Sequence, residues 1–354
     1  MRWGPQVGSH RKAAWPEPDV VRSRSPGPGP LPGVGQSEPL HLKCRPTLGG
    51  NVRAFVAGAS GFLGSSVTQA LVREGFEVRG LCHSPGGRAR VSAAGGAPVQ
   101  GDITDLPAMS RAMHGCDLVV HAASAPFEEG TADPLAGMRT VRVRGGRTLI
   151  DAALENRVPR YLAISGYWVY GAQPGTFSES APKSPRSLAE VNFEVEEQAR
   201  RVNDSGRLAA VVAQPGMVYG DGSWFREMVT EIRSGRFQPI GPGENHWSLV
   251  DVSDAGRALA LLGRQGGSGE DYLVVDDHPV PVRELVRTLA DLLKVPAPSG
   301  MPLPRAEELL GRDLARLNAN DQRASNAKLR RLGWVPRYPS YEEGVRAVIA
   351  QMQD

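Results

Sequence analysis

Cysteine is scarce in this chain. Three occur in 354 residues, Cys44, Cys82 and Cys116, without any C-x-x-C spacing. That argues against a disulfide framework and against a zinc or other metal site, and it fits a reducing, cytoplasmic setting. No apolar run approaches the roughly 20 residues needed to span a bilayer, so no membrane role is expected. A basic surface is missing as well. The net charge is +3, yet residues 1–50 hold seven Lys or Arg against three Asp or Glu, which leaves the remainder at roughly −1. Nucleic acid is therefore not an expected partner. No internal repeat is visible.

Residues 1–50 read as a separate object. Alternating proline and glycine between Ser25 and Gly33 can sustain neither a helix nor a ladder. The segment lacks the apolar centre of a signal peptide, and its prolines and acids suit a transit peptide poorly. It is expected to be a disordered tail. One reading places the natural start of translation close to Asn51 or Val52.

The most informative feature follows at once. Gly58-Ala59-Ser60-Gly61-Phe62-Leu63-Gly64 lies between an apolar run at 52–57, expected to be a buried strand, and a helical stretch at 67–75 ending in glycine. Glycines let a turn close tightly and let its backbone approach a ligand. The positive end of the following helix, with its unpaired N–H groups, then faces an anion. The spacing is GxxGxxG rather than GxGxxG, and its strand–turn–helix context gives it weight.

Further strands are expected at 76–82, 97–100, 117–121, 160–165 and 208–214. Long helices are expected at 135–156 and 187–202, each with an apolar stripe at steps of three and four. Alternating strands and helices demand a parallel, doubly wound sheet with ligands at the strands' carboxyl ends. From about Tyr219 the alternation weakens, with helices expected at 254–264, 282–294 and 340–352. Three parts result: a tail at 1–50, a nucleotide-binding part at 51–218, and residues 219–354 as mainly a smaller substrate lobe, with segments returning to the core.

Seven motifs in sequence order resemble the extended and atypical short-chain dehydrogenase/reductase superfamily, in its NAD-dependent epimerase/dehydratase branch. They are the Gly58–Gly64 turn, GDITD at 101–105, VHAA at 120–123, SGYWVYG at 165–171, QPGMVYG at 214–220, NHWSLVDVSDA at 245–255 and KLRRLGWVP at 328–336. The resemblance implies an α/β Rossmann-type fold, a bound nicotinamide dinucleotide, a small-molecule substrate and a homodimer paired through the two long helices. It also implies roles for individual residues. Gly58, Ser60, Gly61, Phe62, Leu63 and Gly64 would cradle the pyrophosphate, and Asp102 and Ile103 would line the adenine. His121, Ala122 and Ala123 would pass beside the ribose, with His121 structural rather than catalytic. Pro215, Gly216 and Met217 would border the nicotinamide.

The end of the second strand lacks the acid that selects a 2′-hydroxyl. His83, Ser84, Arg88 and Arg90 follow instead, and a guanidinium can clamp a 2′-phosphate. NADP(H) is therefore favoured, with NAD(H) as the alternative. The superfamily's Tyr-x-x-x-Lys pair is missing: Leu188 and Asn192 fill those positions. Ser165, Tyr167 and Tyr170 are the replacement candidates for proton transfer, and His246 and Trp247 for the substrate edge. Two functions follow from this pattern. One is an NAD(P)-dependent oxidoreductase or epimerase-like enzyme acting on a small carbonyl, hydroxyl or sugar-like compound. The other is an NADP(H)-binding sensor without turnover.

Overall fold

The computed structural model describes residues 52–353 apart from 129, 130 and 132, so the expected tail at 1–50 and Cys44 lie outside the described residues. Seven strands form the main sheet: β1 (Arg53–Ala57), β2 (Glu77–Cys82), β3 (Ala97–Gln100), β4 (Leu118–His121), β5 (Arg160–Ile164), β6 (Ala209–Pro215) and β7 (Asp271–Val274). Their order is β7-β6-β5-β4-β1-β2-β3, every pairing is parallel, and the switch point falls between β1 and β4.

The sheet is covered on both faces because its strands are apolar on both. Ala54 and Val56 join one core with Leu162 and Val211, while Phe55 and Ala57 join the other with Val119 and Ala163. This is the two-residue alternation of a pleated strand. Helices α1 (Phe62–Arg73), α2 (Pro85–Ala93) and α3 (Leu106–Met113) connect the first four strands. The sequence pattern assigns no element where α2 forms. Ser84 caps that helix by accepting from the Gly87 amide at 3.1 Å, and Pro85 pre-sets its first turn.

The next helix, α4, runs without a break through Ala136–Met138, Arg139–Arg144 and Gly145–Glu155, the middle part in π geometry. Helix α5 (Leu188–Asp204) returns on the same face. Beyond β6, helix α6 (Ser223–Arg233) begins the smaller lobe, and α7 (Val252–Gln265) returns to the sheet beside α1. There Ser66 donates to the Val252 carbonyl at 2.7 Å. A side chain at Gly256 would meet the Ser66 oxygen at 2.3 Å, so the two helices touch where only glycine fits. The lobe has its own core, in which α8 (Val282–Leu293) packs its Leu285 and Leu289 near Tyr167, Tyr219 and Phe225.

One ionic cluster ties the sheet's far edge together. Glu196 on α5 is fully buried. It accepts from Ser165 (2.7 Å), Gln214 (2.8 Å), Lys183 (2.5 Å) and Arg200 (2.9 Å). Lys183 and Arg200 also donate to Asp271 at the start of β7, at 2.6 and 2.8 Å. Removing one member of a buried ionic group leaves the others uncompensated. Glu196→Ala is therefore expected to cost about 3 kcal/mol of unfolding free energy, read from urea denaturation. Glu196→Gln, which still accepts a hydrogen bond, is expected to cost less.

A candidate coenzyme and substrate cavity

The first turn of α1 sets one end of a cavity of about 1370 Å³ along the carboxyl edge of the sheet. Gly58 has φ +85°, a conformation that glycine adopts freely. A side chain there would strike the Ala122 carbonyl and the Ala123 nitrogen at 2.6 Å. At Gly64 it would lie 2.0 Å from the Gly58 carbonyl oxygen. The turn is thus packed against the loop after β4, and the leading amides of α1 have no acceptor within the helix. The cradle fits an anionic diphosphate.

Most residues expected at the coenzyme do line this cavity. They include Gly58, Ser60, Gly61, Phe62, Leu63 and Gly64 at the turn, and His83, Asp102 and Ile103 beyond β2 and β3. Ala122 and Ala123 follow β4, Pro215 ends β6, and Gly216 and Met217 follow it. Asp102 is locked by Thr104, whose amide and hydroxyl both donate to it at 2.8 Å, and these bonds hold its carboxyl below the usual range.

Ser84, Arg88 and His121 are not among the lining residues. Ser84 is spent on capping α2, and Arg88 is exposed. Arg90 reaches the cavity edge instead, its Nε donating to the Ser60 carbonyl at 2.8 Å. His121 stands behind the wall. Its Nε2 donates to the Arg142 carbonyl at 2.8 Å, which leaves Nδ1 bare and without a partner.

The three proton-transfer candidates part company. Ser165 lines the cavity. Its single proton is directed to Glu196, so its lone pairs are what it offers a ligand. Tyr167 also borders the cavity, but its hydroxyl is buried without a hydrogen-bond partner, and burial raises the phenol above the ordinary tyrosine range. Tyr170 is away from the cavity. It is fully buried and donates to the Gln214 side-chain oxygen at 2.8 Å, and burial raises it too. Leu188 and Asn192, in the positions of the usual Tyr and Lys, both line the site. Trp247 lines it and His246 does not; the latter sits 3.1 Å from Asp321.

One residue escaped the motif reading. Arg142, in the π segment of α4, lines the cavity although it is only 8 % exposed. It donates to the Ile164 carbonyl at 2.7 Å, beside Ser165, and its Nε has no partner. Burial pulls its guanidinium down to about 10, so it stays charged at neutral pH. The only sequence signal was an arginine on the inward face of a helical stripe. Among the described residues no cluster of His, Cys, Asp or Glu could hold a metal ion, and no helix is long and apolar enough to cross a membrane.

The profile of the NAD dependent epimerase/dehydratase family matches residues 54–274. The chain belongs to that family. It is 28% identical over 288 residues to a 4-hydroxy-2-methyl-3-oxo-4-farnesyl-3,4-dihydroquinoline-1-oxide ketoreductase of Stigmatella aurantiaca, covering 78% of this chain and 85% of that one. It is 24% identical over 255 residues to a 2-alkyl-3-oxoalkanoate reductase of Shewanella oneidensis, covering 67% and 65%. The fold matches a dTDP-glucose 4,6-dehydratase from Streptomyces venezuelae solved with NAD and TYD bound, with a TM-score of 0.73 and 24% identity, covering 85% and 97% of the two chains.

His121 supplies a test of this wall. Burial drives its imidazole from 6.5 to about 4. The unfolded chain therefore takes up a proton first, and stability falls as pH drops from 6.5 toward 4, by about 3 kcal/mol at most. Buried Asp276 is raised and opposes this trend, so the comparison is between variants. His121→Gln is expected to flatten the acid limb of stability, read from urea midpoints at pH 7 and 4.5. An unchanged limb would place the imidazole in water.

Proposed function

We propose that the protein is an NAD(P)-dependent oxidoreductase that moves hydride between the nicotinamide and a carbonyl or hydroxyl carbon of a small molecule. The observation that carries this is one continuous cavity. It begins at the glycine turn, passes Ser165 and ends among side chains of the lobe. The ketoreductase and oxoalkanoate reductase relatives support carbonyl reduction. A sensor without turnover draws no support from them.

A reduced nicotinamide bound there would supply hydride to the carbonyl carbon, and the oxygen would take its proton from water, giving an alcohol and oxidised nicotinamide. The chain's part is to bind, orient and polarise. Gly58 and Gly64 let the turn close against neighbouring backbone, so that the leading amides of α1 would face the diphosphate. Ser165, its own proton held by Glu196, would accept a hydrogen bond from the hydroxyl of the alcohol form of the substrate. Arg142, bonded at the end of β5, and Asn192, at the position of the usual Lys, both line the cavity and would offer N–H donors to a carbonyl oxygen. Of the three hydroxyl candidates, Ser165 carries the proposal; Tyr167 and Tyr170 act through packing.

NADP(H) is the preferred coenzyme in this reading. The end of β2 offers no acid, and Arg90 is held at the cavity edge by its bond to Ser60. The partly buried apolar residues Val143, Leu154 and Phe193 on α4 and α5 support a homodimer paired through those helices. The free, buried Cys82 and Cys116 support a cytoplasmic workplace.

Calorimetry tests the coenzyme assignment. Arg90→Ala is expected to weaken NADPH about tenfold or more, the loss of one charge-assisted phosphate contact, while NADH changes little. Equal losses for both, or tighter NADH binding by the unaltered protein, would remove the NADP(H) preference. Absence of heat with either coenzyme would remove the oxidoreductase.

A further inference from the structure

The cavity is larger than the roughly 300–1,000 Å³ of a site for one small ligand. Past Ser165 its walls change character. Phe127 and Trp168 border it from the sheet side; Trp224, Met228, Phe237 and Trp247 border it from the lobe. Trp224 and Trp247 meet edge to face, with ring centres 6.0 Å apart and planes at 89°. Both indole N–H groups are already used: Trp224 donates to the Val218 carbonyl at 2.7 Å, and Trp247 to the Asn318 carbonyl at 3.1 Å. What they show a ligand is carbon.

Charge points the same way. Among the described residues, no Lys or Arg of the lobe lines the cavity; its charged lining residues are Glu227 and Glu231. Arg236 lies close by, but both its bonds go to the Glu231 carboxylate, at 2.9 and 2.7 Å. The lining cations, Arg90 and Arg142, are on the sheet side, one bonded to Ser60 at the glycine turn and the other to Ile164 at the end of β5. A second diphosphate entering the lobe end would find no lining Lys or Arg to neutralise it, since the nearby Arg236 is committed to Glu231.

We infer that the lobe end takes an uncharged, extended apolar ketone or the matching alcohol, bearing an alkyl chain or aromatic ring, and that it rejects nucleotide-diphosphate sugars. The substrate class rests on the oxidoreductase reading. The apolar site itself does not.

Titration calorimetry on the whole protein, with and without NADPH, separates the two. The probes are methyl ketones from butanone to dodecanone, benzylacetone and UDP-glucose. Affinity is expected to rise up to about fourfold with each added methylene until the lobe end is filled, since each buried CH₂ carries that much transfer free energy. Benzylacetone is expected to bind and UDP-glucose to give no heat. NADPH oxidation by the same ketones should follow the same order. Affinity indifferent to chain length, or UDP-glucose binding more tightly than the ketones, would overturn the inference. Ketone binding that climbs with length while neither coenzyme binds would support the apolar site and defeat the oxidoreductase. Phe237→Asp should abolish the chain-length gain and Phe237→Leu restore most of it, with NADPH affinity unaltered in both as the check on folding.

Discussion

A single buried carboxylate organises the business end of this molecule. Glu196 has no contact with water, so it persists only because every lone pair facing inward has a donor. Those donors come from four parts of the chain: the segment after β5, the segment before α5, α5 itself and β6. Satisfying one charge therefore fixes how four segments meet. It also orients the Ser165 hydroxyl, and through Gln214 it holds the Tyr170 phenol away from the cavity. The cluster does for geometry what the absent Tyr–Lys pair does for proton transfer in other members of the superfamily.

The two ends of the cavity are built on opposite principles. The coenzyme end is backbone: glycines that touch other backbone, amides at a helix start, carbonyls that accept from Arg90 and Arg142. The lobe end is side chain, chiefly aromatic, with both indole N–H groups turned to backbone carbonyls. A side-chain site is rebuilt by changing one ring.

How much of this could be read from the letters depends on the range of the interaction. The glycine turn, the strands and the two long helices come from local spacing, so they are legible in runs such as Gly58–Gly64 and in the stripes of α4 and α5. The strand order and the return of α7 to the sheet beside α1 come from the structure. Lys183 is the contrary case. Read alone, it is a lysine in a proline-rich loop; its meaning lies in Asp271, 88 residues away. Arg142 is similar, because its inward path depends on a local change of helical geometry that composition does not announce. Arg88 and Arg90 differ for a third reason. The sequence supplies both guanidinium groups, but the cap at Ser84 sets the phase of α2 and so decides which one reaches the cavity.

The π segment of α4 has a bearing on descent. Such a segment arises when one surplus residue is accommodated inside an otherwise regular helix, and it often marks a functional position. Loss of a residue between Arg139 and Arg144 would let an ordinary helix close with both flanks in their present phase. The scaffold would survive, and the cationic group beside Ser165 would lose its address. Deleting one residue there would thus remove the charge beside Ser165 while leaving the glycine turn, the ionic cluster and the aromatic lobe in place.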